Sequence, residues 1–533
     1  MIQKELYECT ARDGEQAPGV SFSAGDRVKI VRLNDALGFP YTEVGYPSGT
    51  NGPEVMKAFR ELRRMDLKTK LVAFGSTSKV ENPAEDANLA ALLKTGAKYV
   101  AIVGKASAEQ ALVQFGAHPS DNLRRVRHSI DFLKQNGKKV IFDGEHFYDG
   151  YKGDSEYSLK VLEAAANAGA DTLVLCDTNG GTLTEDIREI TRKTYDDLRG
   201  VGIDTPLGIH FHNDSGLAVA NALSVLQYVT QIQGTLSGFG ERVGNLNLTT
   251  LIGNLDKMGV KHGIRTRKLR TANEDLCRLA GVDLPTNRSF VGYTAFGHKG
   301  GIHIHGVKKG VSYEHTDPTR YGNKRRILMS HLGGTSAIEA AATQFGIVLD
   351  KDDSATKTGI RRLQVALADR QRQGFRAEQS TAENYLLFAQ YLLKQPVLFE
   401  IKRKHYETGD LTGKEESSAL MEIVVGKKGK KDDMKKIEVD GGPIHASFKL
   451  LKRELVHKFP ELRRVHLDDY SVSMARRDEE RSSVRTEVVF KYNGERYRTV
   501  GVDPNILFSG AEALVKGLRY AALRHRYGTR QMG

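Results

Sequence analysis

The stretch KVIFDGEHFYDGYKGDSEYSLKVLEAAANAGADTLVLCDT, residues 139–178, contains one complete strand–helix–strand unit. KVIFDGEHF (139–147) and DTLVLCDT (171–178) are short, apolar and rich in β-branched residues, as strands covered on both faces are. Between them, YSLKVLEAAANAGA (157–170) spaces its apolar residues at helical intervals and carries Gly169 near its end, where helices stop. The unit recurs in both directions. Upstream lie LYECT (6–10), YTEVG (41–45), KLVAFGS (70–76) and YVAIVG (99–104), separated by helical stretches such as DRVKIVRLNDALG (26–38) and NLRRVRHSIDFLKQNG (122–137). Downstream, PLGIHFH (206–212) and QIQGTLSGFG (231–240) bring the strand count to eight. Eight strands in alternation with helices over about 250 residues predict an α/β fold of the (β/α)8 TIM-barrel type. A doubly wound open sheet would place a GxGxxG phosphate loop after its first strand. ARDGEQ (11–16) stands there instead.

The barrel is expected over residues 1–270. A short linker subdomain follows over 271–330, where LPTNRSFVGYTAFGHKGGIHIHGVKKGVSYEH (284–315) is rich in Gly, His and Tyr and has little periodicity. SAIEAAATQFG (336–346), TGIRRLQVALADRQRQG (358–374) and STAENYLLFAQYLL (380–393) predict a helical subdomain over 331–405. KRKHYETGDLTGKEESS (402–418) is charged, lacks apolar periodicity and is expected to be a linker. It leads into an α+β domain over 406–533, where ALMEIVVG, IHASFKLLKRELVHKF, SVSMARR, RTEVVFKYNG and GAEALVKGLRYAAL alternate in character.

The 533 residues are 39% hydrophobic and 27% charged, ordinary values for a chain with a sizeable core. The cysteines, Cys9, Cys176 and Cys277, are odd in number and form no CxxC. That excludes a disulfide scaffold and a thiolate zinc finger, and fits a reducing, cytoplasmic setting. Cys9 and Cys176 fall within strand segments and are expected to be small core residues. The first residues, MIQKELYECTARDGEQ, carry no apolar signal-peptide core, and no run of 18 apolar residues occurs. No membrane partner is expected. The net charge of +13 attracts anions of any kind. A basic polyanion-binding protein is the reading it invites, but no RNA- or DNA-binding module is present to support it. The densest basic run, GKKGKKDDMKK (426–436), is expected to be a solvated hairpin loop.

Catalytic groups of a barrel project from the C-terminal ends of its strands, above an apolar interior. Arg12 and Asp13 follow the first strand, Glu43 ends the second and Glu145 ends the fifth. Asp177 and Thr178 end the sixth, His210 and His212 the seventh, and Glu241, Arg242 and Asn245 follow the eighth. Residues distant in sequence thus converge on one rim. Within HFH, the imidazoles of His210 and His212 face the barrel axis while Phe211 packs outward, because side chains two apart share a face. With Asp13 they predict a divalent metal site, and the Asn245 amide oxygen is a further candidate ligand. Such nitrogen and oxygen ligation suits Mn, Mg, Co or Zn.

LYECTARDGEQ (6–16), HFHND (210–214), GFGERVGNLNL (238–248) and GHKGGIHIHGV (297–307) resemble signature segments of the acyltransferases that condense acetyl-CoA with a 2-oxo acid. That family contains 2-isopropylmalate, homocitrate and citramalate synthases, with hydroxymethylglutaryl-CoA lyase as a barrel relative. DGEHFYDGYK (143–152), GIHFHNDSGLAVAN (208–221) and GHKGGIH are most similar to the citramalate synthases. GGPIHA (441–446), DDYSV (468–472) and GVDPNILFSGAEALV (501–515) resemble the regulatory dimerisation domain of the same enzymes. EVGYPSGTNGPEV (43–55) departs from the Trp-containing Gly-Gly-Trp-Pro-Gly pattern of many citramalate synthases.

The resemblance implies a role for each matching residue. Arg12 contacts the keto-acid oxygens, and Asp13, His210, His212 and Asn245 bind the metal. Glu145 does acid/base work, Thr178 holds the substrate carboxylate, and His303 and Tyr313 are the catalytic pair of the segment after the barrel. It implies acetyl-CoA as co-substrate, pyruvate as the 2-oxo acid, a homodimer, and feedback by isoleucine. The alternatives within the family are 2-oxoisovalerate with leucine feedback, a homocitrate synthase, and a barrel acyl-CoA lyase. Nucleic acid is not an expected partner.

Overall fold

The computed structural model describes residues 3–115, 118–299, 306, 313–328, 334–350, 352–375, 381–410, 415–425, 435–440, 442–476 and 482–527. The chain forms two compact units, Met1–Ala295 with Thr316–Lys324, and Phe296–His315 with Arg325–Gly533.

The first unit is a closed barrel of parallel strands in sequence order: β1 (Glu5–Glu8), β2 (Tyr41–Gly45), β3 (Lys70–Ser76), β4 (Tyr99–Lys105), β5 (Lys139–Glu145), β6 (Thr172–Asp177), β7 (Leu207–Phe211) and β8 (Gln231–Gly234). β1 closes on β8 with Glu5 opposite Gln231 and Glu8 opposite Gly234. Each strand buries both faces, one in the barrel and one under a helix, which is why the sequence shows continuous apolar runs there. Local signals set the helices between them. Ser23 and Asp26 close a reciprocal capping box at the start of the helix Ala24–Leu37, and Gly38 ends it in the left-handed conformation at φ 94°.

Tyr7, Cys9, Tyr41, Val72, Ala101, Ile141, Val174 and Cys176 fill the barrel interior. The expectation of an apolar interior below the rim needs correction, because Asp143, Gln231 and Gln233 are buried there too. They are tolerated because they bond to one another or to rim residues, as described below. The expected eighth strand is also shortened. It ends at Gly234, and Gly238 and Gly244 adopt positive φ of 77° and 97° in a loop that folds back over the barrel.

In the second unit β9 (Gly297–His298) pairs in parallel with β10 (Arg326–Ile327). The helices Gly334–Thr343, Ser354–Arg372 and Thr381–Tyr391 enclose a core that includes Ile338, Leu363 and Phe388. β11 (Phe399–Asp410), β12 (Glu415–Val425) and β13 (Lys435–Asp440) make one antiparallel sheet. β14 (Val465–Arg476), β15 (Ser483–Tyr492) and β16 (Glu495–Asp503) make another. The helices Pro443–Leu455 and Ile506–Tyr527 share a core with them, with Leu451, Phe490 and Leu518 at its centre. The linker expected at 402–418 is instead largely β-hairpin, with Tyr406 opposite Ala419. A β-bulge between Ile401 and Arg403 breaks the alternation, and the outward residues Arg403 and His405 are polar and exposed. Residues 426–434 of the basic run, where a solvated loop was expected, lie outside the described residues, and Lys435 and Lys436 pair within β13. No helix among the described residues is long and apolar enough to cross a membrane.

Candidate active site

After β1 the chain coils tightly, with the N–H groups of Arg12, Asp13 and Gly14 converging on Cys9 O at 3.1, 2.9 and 3.3 Å. Arg27, a fully buried cation from the helix Ala24–Leu37, fixes this coil. It donates to Ala11 O and to Val44 O (3.0 Å) and pairs with Glu15, tying the ends of β1 and β2 together.

Arg12 Nε lies 2.7 Å from Glu43 Oε2, and the guanidinium stacks over the Phe74 ring at 3.7 Å. Tyr7 donates to the other Glu43 oxygen at 2.8 Å. Burial works against the Arg12 charge, but Asp13 and Glu43 outweigh it and keep the guanidinium protonated. Burial opposes the Asp13 charge as well. Arg12 and His210 prevail and hold its carboxyl well below the usual range.

His210 Nε2 approaches Asp13 Oδ2 to 3.1 Å. Its Nδ1 lies 3.0 Å from Gln233 Oε1, while Gln233 Nε2 donates to Asp143 Oδ1 (3.1 Å) and Gln231 Oε1 (3.3 Å). An amide oxygen can only accept, so His210 carries a hydrogen on Nδ1 and directs Nε2 at Asp13. The gap between Nε2 and Oδ2 is a seat for positive charge. A proton on His210 can fill it, and Asp13 favours that proton against burial. A metal cation can fill it too.

Two buried oxygens support the second occupant. Asp13 Oδ2 and Asn245 Oδ1 have no hydrogen-bond partner among the described residues. Asn245 is turned this way because its Nδ2 donates to Phe239 O at 3.1 Å. The Asn245 position depends on glycine: a Cβ on Gly240 would lie 2.4 Å from Asn245 Nδ2, and one on Gly244 would lie 2.0 Å from Gly238 O. His212 stands one residue past β7, bridged to Asn245, with its ring centroid 5.3 Å from that of His210. Burial first, and then the neighbouring charge of His210, push its pKa down to about 4, so it is a neutral imidazole. Arg242 Nη2 sits 2.9 Å from His212 Nδ1 and 2.8 Å from Thr178 O, and the same guanidinium pairs with Asp214. The donor set suits a divalent cation.

The remaining expected residues are placed as follows. Glu145, at the end of β5, pairs with the buried Lys105 at the end of β4. Thr178 Oγ1 accepts the His146 N–H at 2.8 Å, holding the loops after β5 and β6 together. Tyr313 belongs to the second unit and is 43% exposed. His303 lies outside the described residues. Phe211 packs outward against Tyr148, as the alternation in HFH requires. Cys9 and Cys176 are buried thiols, and Cys9 Sγ donates to Gly234 O at 3.1 Å. Burial pushes the Cys9 thiol far up, with Asp13 and Glu43 adding to the effect.

Sequence reasoning missed Arg27, Lys105, Asp143 and Gln233. The signal for two of them was present. Gln231 and Gln233 flank Ile232 on one strand, and Asp143 precedes Glu145 by two, so each polar pair shares the inward face.

Residues 3–276 match the HMGL-like family, 290–372 the homocitrate synthase post-HMGL domain-like family, and 381–522 the LeuA allosteric (dimerisation) domain. An (R)-citramalate synthase of Synechocystis sp. is 36% identical, over 97% of this chain and 95% of that one. Those of Aquifex aeolicus and Geobacter sulfurreducens are each 34% identical over 97% of this chain, and over 98% and 97% of their own. The chain belongs to the (R)-citramalate synthase family. Members of this family are acyltransferases, so this chain is an enzyme of that type. β11–β16 and the helix Pro443–Leu455 lie within the match to the LeuA allosteric (dimerisation) domain, and the helix Ile506–Tyr527 runs past its end.

Proposed function

We propose that this chain condenses acetyl-CoA with pyruvate and water to give (R)-citramalate and CoA, a step toward isoleucine in the cytoplasm. The observation that carries this reading is the buried Asp13–His210 contact, with Asn245 Oδ1 left without a hydrogen-bond partner among the described residues, on the rim of a chain that aligns over 97% of its length with an (R)-citramalate synthase.

A 2-oxo acid presents a carboxylate and a keto oxygen side by side. Asp13, His210, His212 and Asn245 are the residues that would hold a divalent cation, Mn, Mg, Co or Zn. Bound there, it would polarise the keto group and offset the charge that develops on its oxygen. Arg12, clamped by Glu43, brings a permanent positive charge to the same acid. Thr178 orients the acid's carboxylate. Carbon–carbon bond formation requires the acetyl methyl group to lose a proton, and the base is Glu145 or His303. The resemblance assigns Tyr313 to the same catalytic step as His303. Hydrolysis of the resulting thioester makes the condensation effectively irreversible. The net charge of +13 raises the local concentration of both anionic substrates. The C-terminal module would make a homodimer and bind isoleucine as a feedback effector.

A free-thiol assay with acetyl-CoA and pyruvate, 2-oxoisovalerate, 2-oxoglutarate or oxaloacetate tests the reading. Pyruvate should give the highest kcat/KM. Preference for 2-oxoisovalerate would change the substrate to that of an isopropylmalate synthase. No CoA release from any acid with any divalent metal would end the synthase reading. Exchange of acetyl-CoA methyl hydrogens with solvent, measured in Glu145 and His303 variants, identifies the base.

A further inference from the structure

Asp13 and His210 belong to a second donor group as well as to the rim site. Cys9 Sγ, an Asp13 carboxylate oxygen and a His210 ring nitrogen all lie within 4.8 Å of one another, and all three residues are buried. His212 is not part of this group. The sulfur is fixed by its hydrogen bond to Gly234 O at 3.1 Å. Asp13 Oδ2, 2% of its residue exposed, faces His210 without a hydrogen-bond partner among the described residues. The pair therefore has a sulfur donor within reach in addition to the rim candidates Asn245 and His212.

Cations sort between these two surroundings by softness. Mg²⁺ and Mn²⁺ take oxygen and nitrogen and derive little from a thiol, whereas Cd²⁺ and Zn²⁺ bind thiolate strongly. We infer that Cys9, Asp13 and His210 form a binding site for thiophilic divalent cations, sharing two donors with the rim site of the proposed function. On that reading of Asp13 and His210 the inference rests. Binding breaks the Cys9 S–H bond, releases the proton to solvent and forms a sulfur–metal bond, with no change of oxidation state. The sulfur draws such an ion toward β1 and away from His212, so a soft ion and a hard ion occupy overlapping but distinct positions. They compete for Asp13 and His210.

The test is titration of the metal-free full-length chain with Cd²⁺, followed by ultraviolet absorption. Thiolate-to-cadmium charge transfer should appear and saturate at one equivalent in the parent and in Cys176→Ser. It should be absent from Cys9→Ser and from Cys9→Thr, with folding of both checked by circular dichroism. Cadmium affinity should fall about tenfold or more in the Cys9 variants, the loss expected when a strong ligand is removed. Excess Mg²⁺ should slow the rise of the band in the parent. A band that survives both Cys9 variants, or cadmium bound by the parent without any band, overturns the inference. Calorimetry showing that neither Cd²⁺ nor Mn²⁺ binds would instead overturn the metal reading on which it rests.

Discussion

Glu43 and Arg12 meet at 2.7 Å across the tops of β1 and β2, with Glu43 fully buried and its second oxygen held by Tyr7. The carboxylate both neutralises the guanidinium and sets its direction. Glu43→Gln keeps an acceptor for Arg12 but removes the charge, which weakens a charge-assisted bond to an ordinary one, a difference of about 1–2 kcal/mol. The expected outcome is an increase of about tenfold in KM for the 2-oxo acid, with KM for acetyl-CoA unchanged. Steady-state kinetics with each substrate varied in turn will show it. Equal effects on both would mean that Glu43 acts on the rim as a whole.

Gln233 holds the tautomer of His210 through Oε1 and is itself oriented by Asp143. Gln233→Leu should lower affinity for Mn²⁺ by about 10–100-fold, as loss of a residue that orients a metal ligand does. His210→Ala and Asp13→Ala should abolish metal-dependent turnover. Calorimetric titration of Gln233→Leu with Mn²⁺ separates a positioning role from general damage. Unchanged affinity would remove Gln233 from the site.

Burial raises the Asp143 carboxyl from 3.8 to about 7. The folded chain therefore holds a proton that the unfolded chain has released between those values. The contribution of this group to stability is complete below pH 4 and is lost as pH rises through 7, a difference of about 4 kcal/mol. Asp143→Asn keeps an oxygen for Gln233 Nε2 and has no charge to bury. Thermal unfolding of metal-free protein at pH 5, 6, 7 and 8 should show the Asn variant gaining on the parent as pH rises. Parallel curves would mean that Asp143 titrates in its ordinary range.

Glu145 lies at the end of β5, paired with Lys105. Glu145→Gln should keep metal affinity and lose about 10²-fold or more in kcat, the scale of a missing acid/base group. A variant with full kcat would assign the proton transfer elsewhere, with His303 next to be changed.

Helix Thr381–Tyr391 is part of the C-terminal core. Tyr385 packs edge-on against Tyr520 at 5.6 Å, and Glu383 accepts the Val500 N–H at 2.9 Å. A cut after Leu393 would therefore strip this core of one wall and leave apolar surface on the remaining chain. The same helix also gives Leu387 and Phe388 to the core of the helices Gly334–Thr343 and Ser354–Arg372, so the cut after Leu393 keeps that core whole. The shortened chain should be insensitive to isoleucine, leucine and valine, whereas the full chain should be inhibited by isoleucine. Inhibition assays with solution mass measurements on both chains check this. A full-length chain indifferent to all three would leave the module a dimer scaffold only.

Particular residues show what the sequence made legible. The barrel strands were readable because KLVAFGS or DTLVLCDT, apolar on both faces, cannot be mistaken for amphipathic helix. Asp13, His210 and His212 were readable because they follow such strands at one end. The Arg12–Glu43 clamp was half readable: both residues were placed on the rim, but not their contact. Asp143 and Gln233 were hidden by the assumption that a barrel interior is apolar. Their burial is offset by hydrogen bonds to one another and to His210, which no linear pattern displays. The hairpin at 402–418 was hidden for a different reason. Its half-buried positions include Lys404 beside Tyr406, so the alternation is present there but is not an apolar series.

The glycine loop that seats Asn245 has a practical consequence for anyone redesigning substrate choice. Gly240 and Gly244 leave no room for a side chain, since one would collide with the Asn245 amide and the other with a backbone carbonyl. Random variation in 238–245 would thus sample mostly inactive proteins, whatever acid was being selected for. The segment Tyr46–Gly49 after β2 carries no proposed ligand and reaches Phe74 through the Tyr46 ring, and Arg12 stacks on that Phe74. Diversity spent there changes the shape offered to the acid while the ion's seat stays intact, so a directed-evolution library should begin at that loop and keep the glycines constant.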